Sequence, residues 1–339
     1  MFKFNANVSG AAKRIVLTFN IIVMTVLLSL WAVSSAQSAE KTKIRIGAEA
    51  TSFAFQFRVA LSEGIFDKYD LDAEIFSFAY GIDTLNATVL GETDSAEAAD
   101  FAIASRLAAG SNLRIVAFIL SPATNAAKLY VRDESIKVPA DLKGKRIGVK
   151  KGTVNEYEWG KFFEKFDIDP KEVSYEYLSS TSDQIAAFQG GDIDAFWGIT
   201  DIESVVLKVP GSRAIGDYSL LGSRYKAFLL LDDGFIKNNP KAVVNLVKAL
   251  DEATTFIKNN PDKVAQIAFR DLKIPVESAR AGIDTLEYDI RLHQEDLDQI
   301  NDVYKWSREH GLIKNEYELA DFVYSDAIKE ALADKVTIK

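Results

Sequence analysis

Beyond residue 40 the apolar positions recur in two alternating periods, and this alternation predicts the elements. Residues 44–47 and 73–78 read as strands, short runs in which apolar β-branched and aromatic residues recur. Between them, residues 53–63 read as a helix ended by Gly64, the residue that most readily takes the left-handed conformation at a helix end. Ile82, Leu85 and Val89 then return at helical spacing with Gly91 as terminator, and residues 95–99 lead into another strand. The series repeats as strand 146–149, helix 155–166, strand 173–177, helix 181–189 with a glycine stop, and strand 195–197. Strands alternating with helices predict an α/β fold whose mostly parallel sheets are covered on both faces.

A repeat underlies the pattern. Phe66-Asp67-Lys68-Tyr69-Asp70-Leu71-Asp72 matches Phe163-Glu164-Lys165-Phe166-Asp167-Ile168-Asp169 at every position, by identity or close chemistry. Gly91-Glu92-Thr93-Asp94-Ser95 and Gly191-Asp192-Ile193-Asp194-Ala195 form a second pair in the same order. Short acidic turns recur on any surface, so the shared order and spacing carry the inference: one supersecondary unit is used twice. Two lobes follow, each with its own sheet flanked by helices. Residues 127–131 and 225–231 read as apolar strands leading out of and back into the first half. The chain is expected to cross near 132–138 and to return near 222–226, two crossings that make a hinge. Lobe 1 then comprises 40–134 and 226–339, and lobe 2 comprises 135–225. After the return, Asn239-Pro240 and Asn260-Pro261 each place a capping Asn before a Pro at the first helical position. Pro275 opens another helix and 295–310 forms a further one stopped by Gly311, all expected to pack on lobe 1.

Residues 1–39 do not fit this scheme. Lys3, Lys13 and Arg14 precede the mostly apolar stretch 15–33, and Ser34-Ser35-Ala36-Gln37-Ser38-Ala39 supplies small residues. This is the pattern of a secretory signal, cleaved between 36 and 39. The stretch just reaches the ~20 residues of a membrane span, but Thr18, Asn20, Thr25 and Ser29 dilute it, so the product is expected free in the periplasm. Removing 1–39 leaves 37 Lys+Arg against 49 Asp+Glu, a net charge of −12, which argues against nucleic acid as a partner. The chain has no cysteine, so no thiol carries a lipid, a disulfide or a nucleophile. His293 and His310 are the only histidines, one before a helix in an acidic stretch and one at a helix end, and both are expected at the surface. No metal-ligand spacing, nucleophile elbow, phosphate loop or dinucleotide fingerprint occurs. No catalytic residue, metal or cofactor is therefore expected, although the abundant Asp and Glu leave a carboxylate-based enzyme as an alternative.

In open α/β sheets ligands sit at the carboxyl ends of strands, where helix N-termini point unpaired N–H groups outward. The turns in question are 49–53, 80–83, 99–101, 121–125, 151–155 and 197–201. The candidate ligand set drawn from them is Glu49, Ser52, Phe53, Gly81, Asp100, Phe101, Thr124, Asn125, Gly152, Thr153, Asn155 and Trp197. Gly152 permits close approach, and Thr153 and Asn155 add donors at a helix start that favours an anion; Thr153 can equally cap its own helix. Glu49 and Asp100 can accept from an amine or a heterocycle N–H, or can merely complement helix dipoles. Trp197 either stacks on the ligand or packs beneath the cleft floor, because alternate strand residues face opposite sides. Phe55, Tyr80, Tyr157 and Trp159 also crowd these turns, where most aromatics are expected in the core. Lys151 is the one cation on the turns, against Glu49, Asp83, Asp100 and Asp201. That balance favours a zwitterion, an amine or a pyrimidine-like heterocycle over nitrate or a simple sulfonate.

Five stretches, taken in order, resemble a known family: Leu61-Ser62-Glu63-Gly64-Ile65-Phe66, Gly91-Glu92-Thr93-Asp94, Asp141-Leu142-Lys143-Gly144-Lys145-Arg146-Ile147-Gly148-Val149, Lys151-Gly152-Thr153 and Phe235-Ile236-Lys237-Asn238-Asn239-Pro240. Together they resemble the nitrate/sulfonate/taurine and thiamine-precursor type of ABC-transporter substrate-binding proteins, over essentially the whole chain after the signal. The resemblance implies a type II periplasmic-binding fold, capture of a small molecule in the inter-lobe cleft, and delivery by a monomer to a permease and its ATPase. Five of the six turns match positions where that family places ligand contacts. The sixth departs from it: relatives often carry Trp-Glu-Pro after the second acidic motif, whereas here Trp197 comes two positions early and Ile199-Thr200-Asp201 takes that place. The same fold also serves sensory modules, so a ligand-sensing partner of a membrane receptor is the alternative role.

Overall fold

The structure is a computed structural model that describes residues 41–199, 202–222 and 224–338. The stretch 1–39, read as an export signal, and Thr200 and Asp201 lie outside the described residues. Among the described residues no helix is long and apolar enough to cross a membrane.

Among the described residues eleven strands form two sheets: β1 (Thr42–Glu49), β2 (Leu71–Phe78), β3 (Ser95–Ala99), β4 (Leu113–Pro122), β5 (Ala127–Val131), β6 (Arg146–Val149), β7 (Ser174–Tyr177), β8 (Ala195–Ile199), β9 (Arg213–Asp217), β10 (Ala227–Asp232) and β11 (Leu286–Arg291). The first sheet has the order β11-β4-β10-β3-β1-β2 and the second β7-β6-β8-β5-β9. The helices that position the cleft or cover the sheets are α1 (Phe55–Ser62), α2 (Gly81–Val89), α3 (Asp100–Ala108), α4 (Val154–Phe166), α5 (Thr181–Gly190), α6 (Pro240–Asn259), α7 (Pro261–Leu272), α8 (Val276–Thr285) and α9 (Gln294–Glu309).

The duplication is physical. Asp70 and Asp167, fifth in their heptads, both take left-handed backbone, with φ of 56° and 51°. Asp94 accepts from the Arg45 backbone N at 2.8 Å, from its Nε at 3.1 Å and from its Nη2 at 2.6 Å. Asp194 repeats this on Arg146 at 2.9, 3.1 and 2.7 Å. Each clamp ties an arginine of one strand, Arg45 within β1 and Arg146 at the start of β6, to the aspartate just before its parallel neighbour, β3 or β8. Charge-assisted, forked bonds of this kind are the stronger sort. Asp94→Asn, or equally Asp194→Asn, is expected to cost about 1.5 kcal/mol in urea unfolding; a loss within error at both positions would show that the clamps only decorate the surface.

Three features differ from the sequence reading. First, β5 pairs with β8 and β9, so it belongs to the second sheet, and the chain crosses between Pro122 and Ala127 rather than at 132–138. A short apolar strand reads alike in either sheet; its partners decide. The return lies between Asp217 and Ala227. Second, parallel pairing is confined to the duplicated strands: β5 and β10 run antiparallel to their neighbours because each enters its sheet from the other one. Third, Asn239 and Asn260 do not cap the helices that follow them. Their Nδ2 groups donate back to Phe235 O at 3.3 Å and Phe256 O at 3.1 Å, closing the preceding helices. The helices after the return do pack on the first sheet's layer, α6 against α1 and β11, and α9 against α3.

Candidate functional site

The carboxyl ends of β1 and β6 face each other across the two sheets. At the end of β1, the buried Glu49 carboxylate accepts from the Gly81 backbone N–H at the start of α2. A side chain at position 81 would meet Ala98 and the Glu49 Oε1, which is why glycine stands there. At the end of β6, Lys150 sets its ammonium 4.8 Å from the Tyr80 ring centroid, a contact between sheets. Gly152, with φ of +75°, lets the next turn approach: a Cβ there would lie 3.6 Å from Ile82 Cγ1.

Between these ends lies a cavity of about 40 Å³ lined in part by Phe53, Lys150, Asn155, Glu158, Trp197, Tyr218 and Tyr225. That volume holds on the order of one or two waters. Glu158 is buried and fully engaged, its oxygens accepting from Tyr218 Oη at 2.5 Å and from Asn155 Nδ2 at 2.5 Å. Two polar atoms of the lining residues, Asn155 Oδ1 and Trp197 Nε1, have no hydrogen-bond partner, while Lys150 beside them rests its ammonium over Tyr80 and near the charges of Glu158 and Glu49. Phe53 and Tyr225 meet edge to face at 5.6 Å, and Trp197 stacks on Tyr218 at 5.8 Å, so the walls are aromatic.

The electrostatics are unusual for a surface cleft. Burial pushes the Glu49 carboxyl well up, and the neighbouring Glu97 adds to the rise. Glu97, buried one strand over, accepts from the Glu49 backbone N at 2.7 Å, and its own carboxyl is raised by burial. Burial raises Glu158 as well, opposed by Tyr218, Asn155 and Lys150. Burial lowers the Lys150 ammonium, opposed by the charges of Glu158 and Glu49. One cation, Lys150, thus sits between two reluctant carboxylates, Glu158 and Glu49.

Of the predicted set, Phe53, Asn155 and Trp197 line the cavity; Glu49 and Gly81 meet at the end of β1, and Gly152 lies near Ile82. The Trp197 ring is buried against Trp159 and Phe162, the packing alternative, and the residue also lines the cavity. Thr153 caps α4, its Oγ1 accepting from Asn155 N at 3.2 Å and donating to Lys150 O at 2.8 Å. The anion-ready end of α4 is also taken from within, since Gly152 N donates to Glu156 Oε2 at 2.7 Å. Asp100 is occupied elsewhere: its carboxylate accepts from Phe101 N, Lys226 N and Gln299 Nε2 at 2.8, 3.1 and 3.2 Å, and burial raises its pKa to about 7. Ser52 is buried with its carbonyl accepting from Tyr288 Oη, and Phe101 is buried behind Asp100. Thr124 and Asn125 are exposed on the first crossing. Sequence reasoning missed Lys150, Glu158, Tyr218 and Tyr225. The signal for Lys150 was available, since it is the first residue after β6 and alternation turns it inward while Lys151 turns out toward Tyr177.

A family profile described as NMT1/THI5 like matches residues 53–264. A protein of Brucella abortus (strain 2308) named as a candidate binding protein is 27% identical over 263 residues, 73% of this chain and 77% of that protein. Among solved structures, the periplasmic aliphatic sulphonate binding protein SsuA from Escherichia coli superposes with a TM-score of 0.72 at 20% identity, over 84% of this chain and 92% of that one. The fold also carries chemistry: the desulfurization enzyme DszB superposes with a TM-score of 0.64 at 15% identity, over 87% of this chain and 99% of its own.

Proposed function

The chain belongs to the NMT1/THI5-like family, and on that footing we propose that it is the periplasmic substrate-binding component of an ABC-type importer. It captures a small polar organic molecule between its lobes as a monomer and hands it unaltered to a permease and its ATPase. Residues 1–39 serve as its export signal. The observation that carries this reading is the convergence of two unpartnered polar atoms, Asn155 Oδ1 and Trp197 Nε1, with the buried cation Lys150 on one aromatic-walled cavity between the sheets. Buried polar groups without partners cost stability, so their presence is accounted for by a ligand that completes them. The cavity is far below the ~300 Å³ of a ligand pocket, so the lobes separate to admit a molecule and close on it.

The set of groups favours a ligand with an anionic end for Lys150 and an N–H donor for Asn155 Oδ1 or the carboxylate of Glu49. Thermal-shift titration of the protein without residues 1–39 should find amino-sulfonates or related zwitterions raising the midpoint more than nitrate or simple sulfonates do. Lys150→Met should weaken the best of them by about thirtyfold, on the order of 2 kcal/mol. Binding unchanged in that variant would remove Lys150 from the site. Recovery of a converted molecule from the denatured complex would favour the enzyme that the DszB fold allows.

A further inference from the structure

We propose that Trp306 and Glu164 form a latch between the lobes, outside the ligand cleft, that stabilises the closed form whether or not a ligand is bound. This rests on the closure reading above. Trp306 lies on α9, which packs against α3 beside the first sheet; Glu164 lies on α4, beside the second. The indole Nε1 donates to Glu164 Oε1 at 2.6 Å, and His310 Nε2 meets the same oxygen at 3.0 Å. The other carboxylate oxygen accepts from Lys161 Nζ at 2.6 Å, so Glu164 is held from both sides. His310 stacks on the indole at 4.1 Å, and Tyr157 meets its face edge-on at 4.9 Å.

The backbone of α4 is shaped for this contact. Tyr157, Gly160 and Glu164 fall on one helical face, at the spacing that stacks successive turns. A Cβ at Gly160 would overlap the Trp306 ring carbons Cζ2 and Cη2. Glycine inside a helix is unfavourable relative to alanine, and the ring pressed on position 160 accounts for its presence. None of these residues lines the ligand cavity. Their contacts are made between the two lobes, so they weight the closed form directly, and ligand affinity scales with that weight.

Because the protein has no cysteine, Leu90→Cys and Lys171→Cys place one spin label on each lobe. Pulsed dipolar spectroscopy on the ligand-free protein then reads the closed-to-open ratio. Trp306→Ala and Gly160→Ala should each lower that ratio about tenfold, and the double variant should be no worse than Trp306→Ala alone, because both remove one contact. Gly160→Ala suits the test because alanine favours the helix it sits in, so a loss of closure cannot be ascribed to unfolding. Two populations whose ratio both variants leave unchanged would overturn the latch and leave closure standing. A single distance common to all the proteins would overturn closure and the latch with it.

Discussion

Asp296→Ala is expected to lower the unfolding free energy by about 3–5 kcal/mol, the cost of leaving buried charges without their partner. The Asp296 carboxylate is 0% exposed and accepts from Lys226 Nζ at 2.7 Å and from Arg291 Nε and Nη2 at 3.0 and 3.2 Å. It also accepts from the His293 backbone N at 3.3 Å, at the start of α9. Arg291 is 11% exposed, its guanidinium 3.8 Å from the Phe118 ring centroid, so it cannot swing out to water without losing that contact. One carboxylate thus joins β11, α9 and the strand that returns from the second sheet. Burial alone would raise its pKa, but the bonds from Arg291 and Lys226 outweigh burial and hold it below the ordinary value of 3.8. The folded protein therefore binds this proton less readily than the unfolded chain. The contribution is present above the unfolded pKa and is lost as pH falls through the folded one. Thermal unfolding at pH 7 should show a midpoint lower by about 10 °C, with the gap to wild type narrowing in acid. A drop of under about 1 kcal/mol would mean that water reaches the two cations.

Glu97→Gln is expected to act in the opposite direction and only in one pH range. Glu97 is 0% exposed; its Oε1 accepts from the Glu49 backbone N, and its Oε2 has no partner. Burial raises its carboxyl from 4.5 to about 7, and Glu49 beside it is raised too. A raised acid means that the folded state takes up protons. The pair's stabilisation is whole below the unfolded pKa and disappears as pH climbs through the folded one. At pH 8 the native protein carries an uncompensated buried charge, so the glutamine variant should be more stable by on the order of 3 kcal/mol. At pH 5 the two should differ little. Urea titrations at pH 5, 6.5 and 8 read this directly, and an equal difference at all three would show that Glu97 titrates as an ordinary carboxylate. The charges that face Glu49 from the neighbouring elements are Lys150, just after β6, which opposes the rise, and Asp83 of α2, which adds to it. A protein that keeps such carboxyls beside its cleft gives up stability that a simple structural role would not require.

Much of this was legible along the chain. The heptads at 66–72 and 163–169 and the acid-acid turns at 91–95 and 191–195 became two structural copies down to the same left-handed aspartate and the same arginine clamp. That follows because a turn needing positive φ and a strand start needing a charged partner are local requirements, written in a few consecutive residues. The turns after β1, β2, β3, β4 and β6 were legible for the same reason, and Phe53, Asn155 and Trp197 line the cavity.

What the tertiary structure alone decided concerns pairing. Whether 127–131 belonged to the first or second sheet could not be read from Ala-Lys-Leu-Tyr-Val, since burial on both faces gives the same run in either. β11, the strand Leu-Glu-Tyr-Asp-Ile-Arg, was not foreseen amid helical sequence; it forms because β4 offers it an edge. Asp100, at a turn of the right kind, was drawn off by Lys226 and Gln299, 126 and 199 residues away. Lys150, Tyr218 and Tyr225 gained their place because the second sheet and the return crossing bring them over Glu49 and Phe53. A residue's local sequence determines the backbone it prefers. Which charges and rings it then faces depends on contacts a hundred residues distant, and those contacts set both its pKa and its access to a ligand.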